Sequence, residues 1–118
     1  TESSLCRRII HYMEDHIHQC LTIEKISHDN LIGRSQLQKL FREQYQCGAI
    51  EFFSRMKIDF ARQLIRDNDM NFTQISDFLG YSSIHYFSRQ FKKITGMTPT
   101  EYATSIKALS ERTHMDSR

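Results

Sequence analysis

Apolar residues recur at three-to-four spacing along most of this chain, the period of a single buried helical face. Ile75, Ser76, Phe78 and Leu79 form one such stripe. Gly80 follows, a residue free to take the positive φ that a sharp helix end requires. Tyr81 is placed to fill the corner, and Ser82 to cap the next helix through its hydroxyl. That helix is expected from about Ser83 to Ile94, with Phe87, Phe91 and Ile94 facing inward. His85, Ser88, Arg89 and Lys92 then share its opposite face.

A degraded copy of this helix-turn-helix pattern lies about fifty residues upstream. Ile26-Ser27 matches Ile75-Ser76, while Leu37, Phe41, Gln46 and Ala49 fall opposite Phe87, Phe91, Gly96 and Pro99. Leu31 stands where Gly80 does, and Gly33 takes the capping position. The second helix of this copy, about Arg34 to Tyr45, turns Leu37, Leu40 and Phe41 inward. Ser35, Gln38, Lys39 and Arg42 share the other face. A solenoid needs three or more repeats, and only two are visible.

Between the copies, Ala49 to Asp67 reads as one amphipathic helix with Phe53, Met56, Phe60, Ala61, Leu64 and Ile65 on its apolar side. A helix of that length spans about 28 Å at ~1.5 Å per residue. Successive major grooves on one face of B-DNA lie about 34 Å apart. The segment therefore suits both a core helix and a stiff connector between two reading heads.

The chemistry of the outward faces suits that role. Gln bonds bidentately to adenine, Lys and Arg donate to guanine O6 and N7, and cations nearby engage phosphates. A solvated amphipathic helix carries the same residue types, so the pattern of one helix decides nothing; its repetition does more. Net charge is only +2, with 39% hydrophobic and 25% charged residues. Affinity from bulk charge is thereby disfavoured against localised basic faces. Residues 34–42 and 84–93 are such faces, each carrying three cations and no acid.

At these residues the chain resembles the DNA-binding domain of the AraC/XylS family of bacterial transcription regulators. The likeness rests on Ile75-Ser76, Gly80-Tyr81, the run Tyr86-Phe87-Ser88-Arg89-Gln90-Phe91-Lys92-Lys93, then Gly96-Met97-Thr98-Pro99 and Tyr102. Lys57-Ile58, Ala61 and Leu64-Ile65 are similar to the family's connecting helix. The resemblance covers about residues 5 to 105. It implies an all-α fold of seven helices, in which two helix-turn-helix subdomains are joined by a long helix. The expected divisions are 1–48, 49–67, 68–109 and a tail over 110–118.

The resemblance implies that both recognition helices enter successive major grooves of double-stranded DNA. Base-facing positions would be Ser35, Gln38 and Lys39 in the first helix, and Ile84, His85, Ser88 and Arg89 in the second. Arg34, Arg42, Lys92 and Lys93 would hold phosphates. RNA polymerase, and an effector-binding or dimerising domain N-terminal to this stretch, are the further partners implied. Leu31 for the usual Gly, Ala49 for the usual Pro and Ala103 for a common Arg depart from the family pattern. The alternative from another class is a helical protein-interaction module that keeps the fold without reading an operator.

Other chemistry is not signalled. No run approaches the ~18 apolar residues of a membrane span, no signal peptide opens the chain, and a cytoplasmic protein is expected. Starting at Thr1, the sequence reads as a fragment of something longer. Cys6, Cys20 and Cys47 lack paired metal spacing and read as reduced thiols, with Cys6 and Cys20 near the packing of the first helix. His11, Asp15 and His18 read as a surface cluster rather than a metal site. No catalytic constellation, metal or cofactor is expected. Phe52, Phe53, Phe60, Phe72, Phe78 and Tyr12 are taken as core aromatics. Thr98, Pro99 and Glu101 predict a capping box opening a last helix that runs to about Leu109.

Overall fold

A computed structural model describes residues 2–116, with side chains described over 4–112. Regular structure among the described residues is entirely helical. It comprises α1 (Glu2–Asp15), α2 (Ile23–Asp29), α3 (Arg34–Tyr45), α4 (Ala49–Asp67), α5 (Phe72–Phe78), α6 (Ile84–Thr95) and α7 (Pro99–Asp116). The all-α, seven-helix architecture is as expected from the sequence. Packing divides the chain within α4 into two units, Thr1–Lys57 and Ile58–Arg118.

In the first unit, α1 buries Cys6, Ile9 and Met13 along one stripe. Ile26 of α2 and Leu37, Leu40 and Phe41 of α3 complete the core with Ala49 and Phe53. Thr22 starts α2 by accepting from the Lys25 N–H at 3.1 Å. The far end of α2 is fastened to α1. Arg8 donates to the Asn30 carbonyl at 2.8 Å, and the Tyr12 hydroxyl donates to the Asp29 carboxylate at 2.6 Å. Asp29, which also accepts from Lys25, is held well below the usual carboxylate range, above all by the Tyr12 bond.

The second unit repeats this plan. Ile58, Ala61 and Ile65 of α4 pack in a core with Ile75, Ser76 and Leu79, and with Phe87 and Phe91. Asn71 and Gln74 form a reciprocal capping box at the start of α5. Thr98 and Glu101 form another at α7, as the sequence predicts: the Glu101 N–H donates to Thr98 Oγ1 at 3.1 Å and the Thr98 N–H to Glu101 Oε1 at 3.3 Å.

Three expectations need correction here. First, α7 continues to Asp116 rather than ending near Leu109. After Pro99 the helix contains no Gly or Pro, and its Ala, Leu, Glu and Arg residues favour helix, so nothing stops it. Second, Phe60 and Phe78 are not core: they are 42% and 38% exposed and stack on each other with centroids 5.9 Å apart. The inward line of α4 runs through Phe53, Lys57, Ile58, Ala61 and Ile65, which carries Phe60 to the edge. Lys57 also lies on that inward line. It is tolerated there because its ammonium donates to the Gln19 carbonyl and sits 4.9 Å from the centre of the Phe53 ring. Third, Cys20 is exposed, while Cys6 is buried.

Candidate nucleic-acid interface

The second helix-turn-helix is α5 and α6. Gly80 takes φ 76°, which allows the chain to leave α5 sharply. The Ser76 hydroxyl reaches across the turn to the Ser83 carbonyl at 3.3 Å. Tyr81 fills the corner, with its ring 5.3 Å from that of Phe87 and 5.8 Å from that of Tyr86. Burial raises its hydroxyl well above the ordinary tyrosine range. The cap of α6 is Ser83, not the expected Ser82. Ser83 has extended φ and ψ, and its Oγ accepts from the Tyr86 N–H at 3.1 Å.

Phe87 and Phe91 are fully buried, and this fixes the rotation of α6. His85, Arg89, Lys92 and Lys93 are exposed as a result, with Ile84 and Ser88 half-buried beside them. Arg89, Lys92 and Lys93 make no ion pair among the described residues. Ile94, expected inward, is only half-buried. Gly96 ends the helix at φ 84°, its N–H donating to the Lys92 carbonyl at 2.8 Å.

The first helix-turn-helix, α2 and α3, achieves the same turn with less suitable residues. Leu31 itself takes φ 52° and is 94% exposed. The Ser27 hydroxyl bonds the Ile32 carbonyl, as Ser76 bonds across its own turn. Gly33 caps α3 with no side chain to offer. All five residues assigned to this head, Arg34, Ser35, Gln38, Lys39 and Arg42, line one open groove of about 770 Å³ with Ile23 and Glu43.

Three features of this face were not anticipated. Arg34 pairs with Glu24 at 3.2 Å and Lys39 with Glu43 at 4.0 Å. Both pairs are exposed, where such contacts contribute ~0–1 kcal/mol, so a phosphate can replace either carboxylate. The i,i+4 spacing of Lys39 and Glu43 is the signal that could have shown the second pair. The third feature concerns Gln38, which is half-buried: its Oε1 accepts from the Ala49 N–H at 3.0 Å. In this conformation one lone pair of the amide oxygen is used and the oxygen is held toward the start of α4, which disfavours the bidentate adenine contact expected of glutamine.

Two helix-turn-helix units, each with a basic outward face on its second helix, define a double helix-turn-helix domain. A model of the helix-turn-helix domain matches residues 30–105, more than half of the chain. The chain belongs to the AraC-type helix-turn-helix family, the DNA-binding domains of bacterial transcriptional regulators. It is 29% identical over 99 residues to the probable transcriptional regulator LumQ of Photobacterium leiognathi, covering 84% of this chain and 40% of LumQ. The chain spans less than half the length of the curated relatives it matches.

Among solved structures, an AraC-type transcriptional regulator from Chromobacterium violaceum shares the fold with a TM-score of 0.80. Its sequence identity is 23%, over 88% of this chain and 93% of that one. The DNA-binding domain of AdpA, solved with a target DNA, has a TM-score of 0.79 at 16% identity, over 86% of this chain and 92% of that one. Among the described residues no helix is long and apolar enough to cross a membrane.

Proposed function

We propose that the outward faces of α3 and α6 each read base edges, in successive major grooves of one operator. Arg89 is the principal reader of the second head, with Ile84, His85 and Ser88 beside it. Ser35, Gln38 and Lys39 read for the first. Arg34, Arg42, Lys92 and Lys93 hold phosphates, which supplies salt-dependent affinity without sequence information. The observation that carries this reading is the face of α6: its three cations are exposed and unpaired by any described acid, and the helix itself contains none. The first head contributes less, because Glu24 and Glu43 compete for two of its cations.

For the whole regulator, the greater length of relatives such as LumQ leaves room for an effector-binding or dimerising domain. That domain, a contact to RNA polymerase and a cytoplasmic location belong to the same proposal.

Selection from a randomised duplex library at two salt concentrations tests it. Two short motifs about ten base pairs apart are expected, the one read by α6 being the stronger. Binding without any enriched motif, abolished at moderate salt, would instead favour a protein-interaction module that keeps only the fold.

A further inference from the structure

We infer that the Ala49 N–H holds the Gln38 amide oxygen and leaves its NH₂ to the base, so that the first head prefers guanine to adenine at that position. The inference rests on the reading of α3 as a base-contacting helix and specifies its chemistry.

The Ala49 N–H is the first of α4 and has no partner within its own helix. Ala49 is fully buried, so water does not serve that N–H. Gln38 Oε1, 3.0 Å away, does. An N–H bonds only an acceptor, so the amide oxygen and not the nitrogen faces the start of α4, and its remaining lone pair serves a base only if that bond is kept. Gly48 makes the approach possible. A Cβ there would meet Gln38 Oε1 at 3.1 Å, Cδ at 3.8 Å and Nε2 at 3.9 Å. Turning the oxygen to a base would leave a buried donor without a partner, a loss that a base contact must exceed.

The consequence follows from the edges of the bases. Adenine presents an acceptor, N7, beside a donor, N6–H₂, and satisfying both takes the oxygen and the nitrogen of the amide together. Guanine presents two acceptors, N7 and O6, which an NH₂ alone can serve. Lys39, adjacent in the same groove, is a pure donor. Proline at 49 has no N–H and would free the oxygen. It is also well accommodated as the first residue of a helix.

The test combines base preference with amide exchange. The base pair under Gln38 is the one whose preference disappears in Gln38→Leu, and duplexes carrying each base there are titrated. Wild type is expected to prefer guanine over adenine about tenfold. Ala49→Pro should move the preference to adenine. Gln38→Glu, which keeps an acceptor for Ala49, should retain thermal stability and lose the guanine preference. In the free protein, the Ala49 amide should exchange slowly in wild type and Gln38→Glu but faster in Gln38→Leu. Adenine preference in wild type, unchanged by Ala49→Pro, would overturn the inference, as would equal exchange in wild type and Gln38→Leu. If Gln38→Leu speeds exchange yet alters preference at no base pair, the base-reading role of α3 fails, and the inference with it.

Discussion

Lys57 donates from its ammonium to the carbonyl of Gln19, 38 residues earlier in the chain, and so ties α4 to the segment that follows α1. Burial lowers the Lys57 pKa from 10.5 to about 8, with a weaker opposing effect from Cys20. Between those values the unfolded chain holds a proton that the native state has released. Stability from this group is therefore flat below about pH 8 and rises from there toward 10.5.

Burial also raises the pKa of Cys6 and Tyr12, which pulls stability the other way at alkaline pH. The difference between wild type and Lys57→Met isolates the lysine. In urea titrations, the stability of wild type relative to Lys57→Met should increase from pH 8 to pH 10. A constant difference would mean that Lys57 titrates as an ordinary exposed lysine.

The start of α6 is expected to depend on one of two adjacent serines. Ser83→Ala removes the hydroxyl that accepts from the Tyr86 N–H and should cost ~1 kcal/mol. Ser82→Ala, one residue outside the cap, should change stability by less than ~0.5 kcal/mol. Thermal melts of the two variants decide this, and the reverse order would place the cap at Ser82.

Leu31 carries strain that its counterpart Gly80 does not. A non-glycine residue at φ 52° meets its own Cβ against the backbone, and the Leu31 side chain, 94% exposed, recovers little by packing. The left-handed conformation costs ~1–2 kcal/mol, against the extra ~0.5–1 kcal/mol of chain entropy that glycine loses on folding. Leu31→Gly should accordingly raise stability by ~0.5–1 kcal/mol, read as a higher melting temperature. A lower one would show that the leucine side chain packs.

Much of this was legible in the sequence because it depends on local rules. The bounds of α4 and α3 follow from runs without Gly or Pro between turn residues. The inward faces of α3 and α6 follow from Leu37 and Phe41, and from Phe87 and Phe91, at helical spacing. The cap of α6 falls one residue later than the sequence suggests because Ser82 and Ser83 are chemically equivalent candidates, and the extended backbone at Ser83 accompanies its bond to the Tyr86 N–H. Hydrophobicity alone misplaces Phe60, because it does not show that Lys57 occupies the inward line of α4, and Phe78 stacks on Phe60 at the edge. The bond from Ala49 to Gln38 joins residues of two different helices, and no periodicity reports it. The absence of proline at 49 was its only trace.

Base reading by α6 is tested by a parallel titration of an enriched duplex and a scrambled one with wild type, Arg89→Ala and Lys92→Ala. Arg89→Ala should lose ~1–3 kcal/mol, about ten- to a hundredfold, on the enriched duplex and far less on the scrambled one. Lys92→Ala should weaken both alike and reduce the salt dependence by about one ion. An equal loss on both duplexes for Arg89→Ala, or none on either, would contradict the assignment of this face to bases.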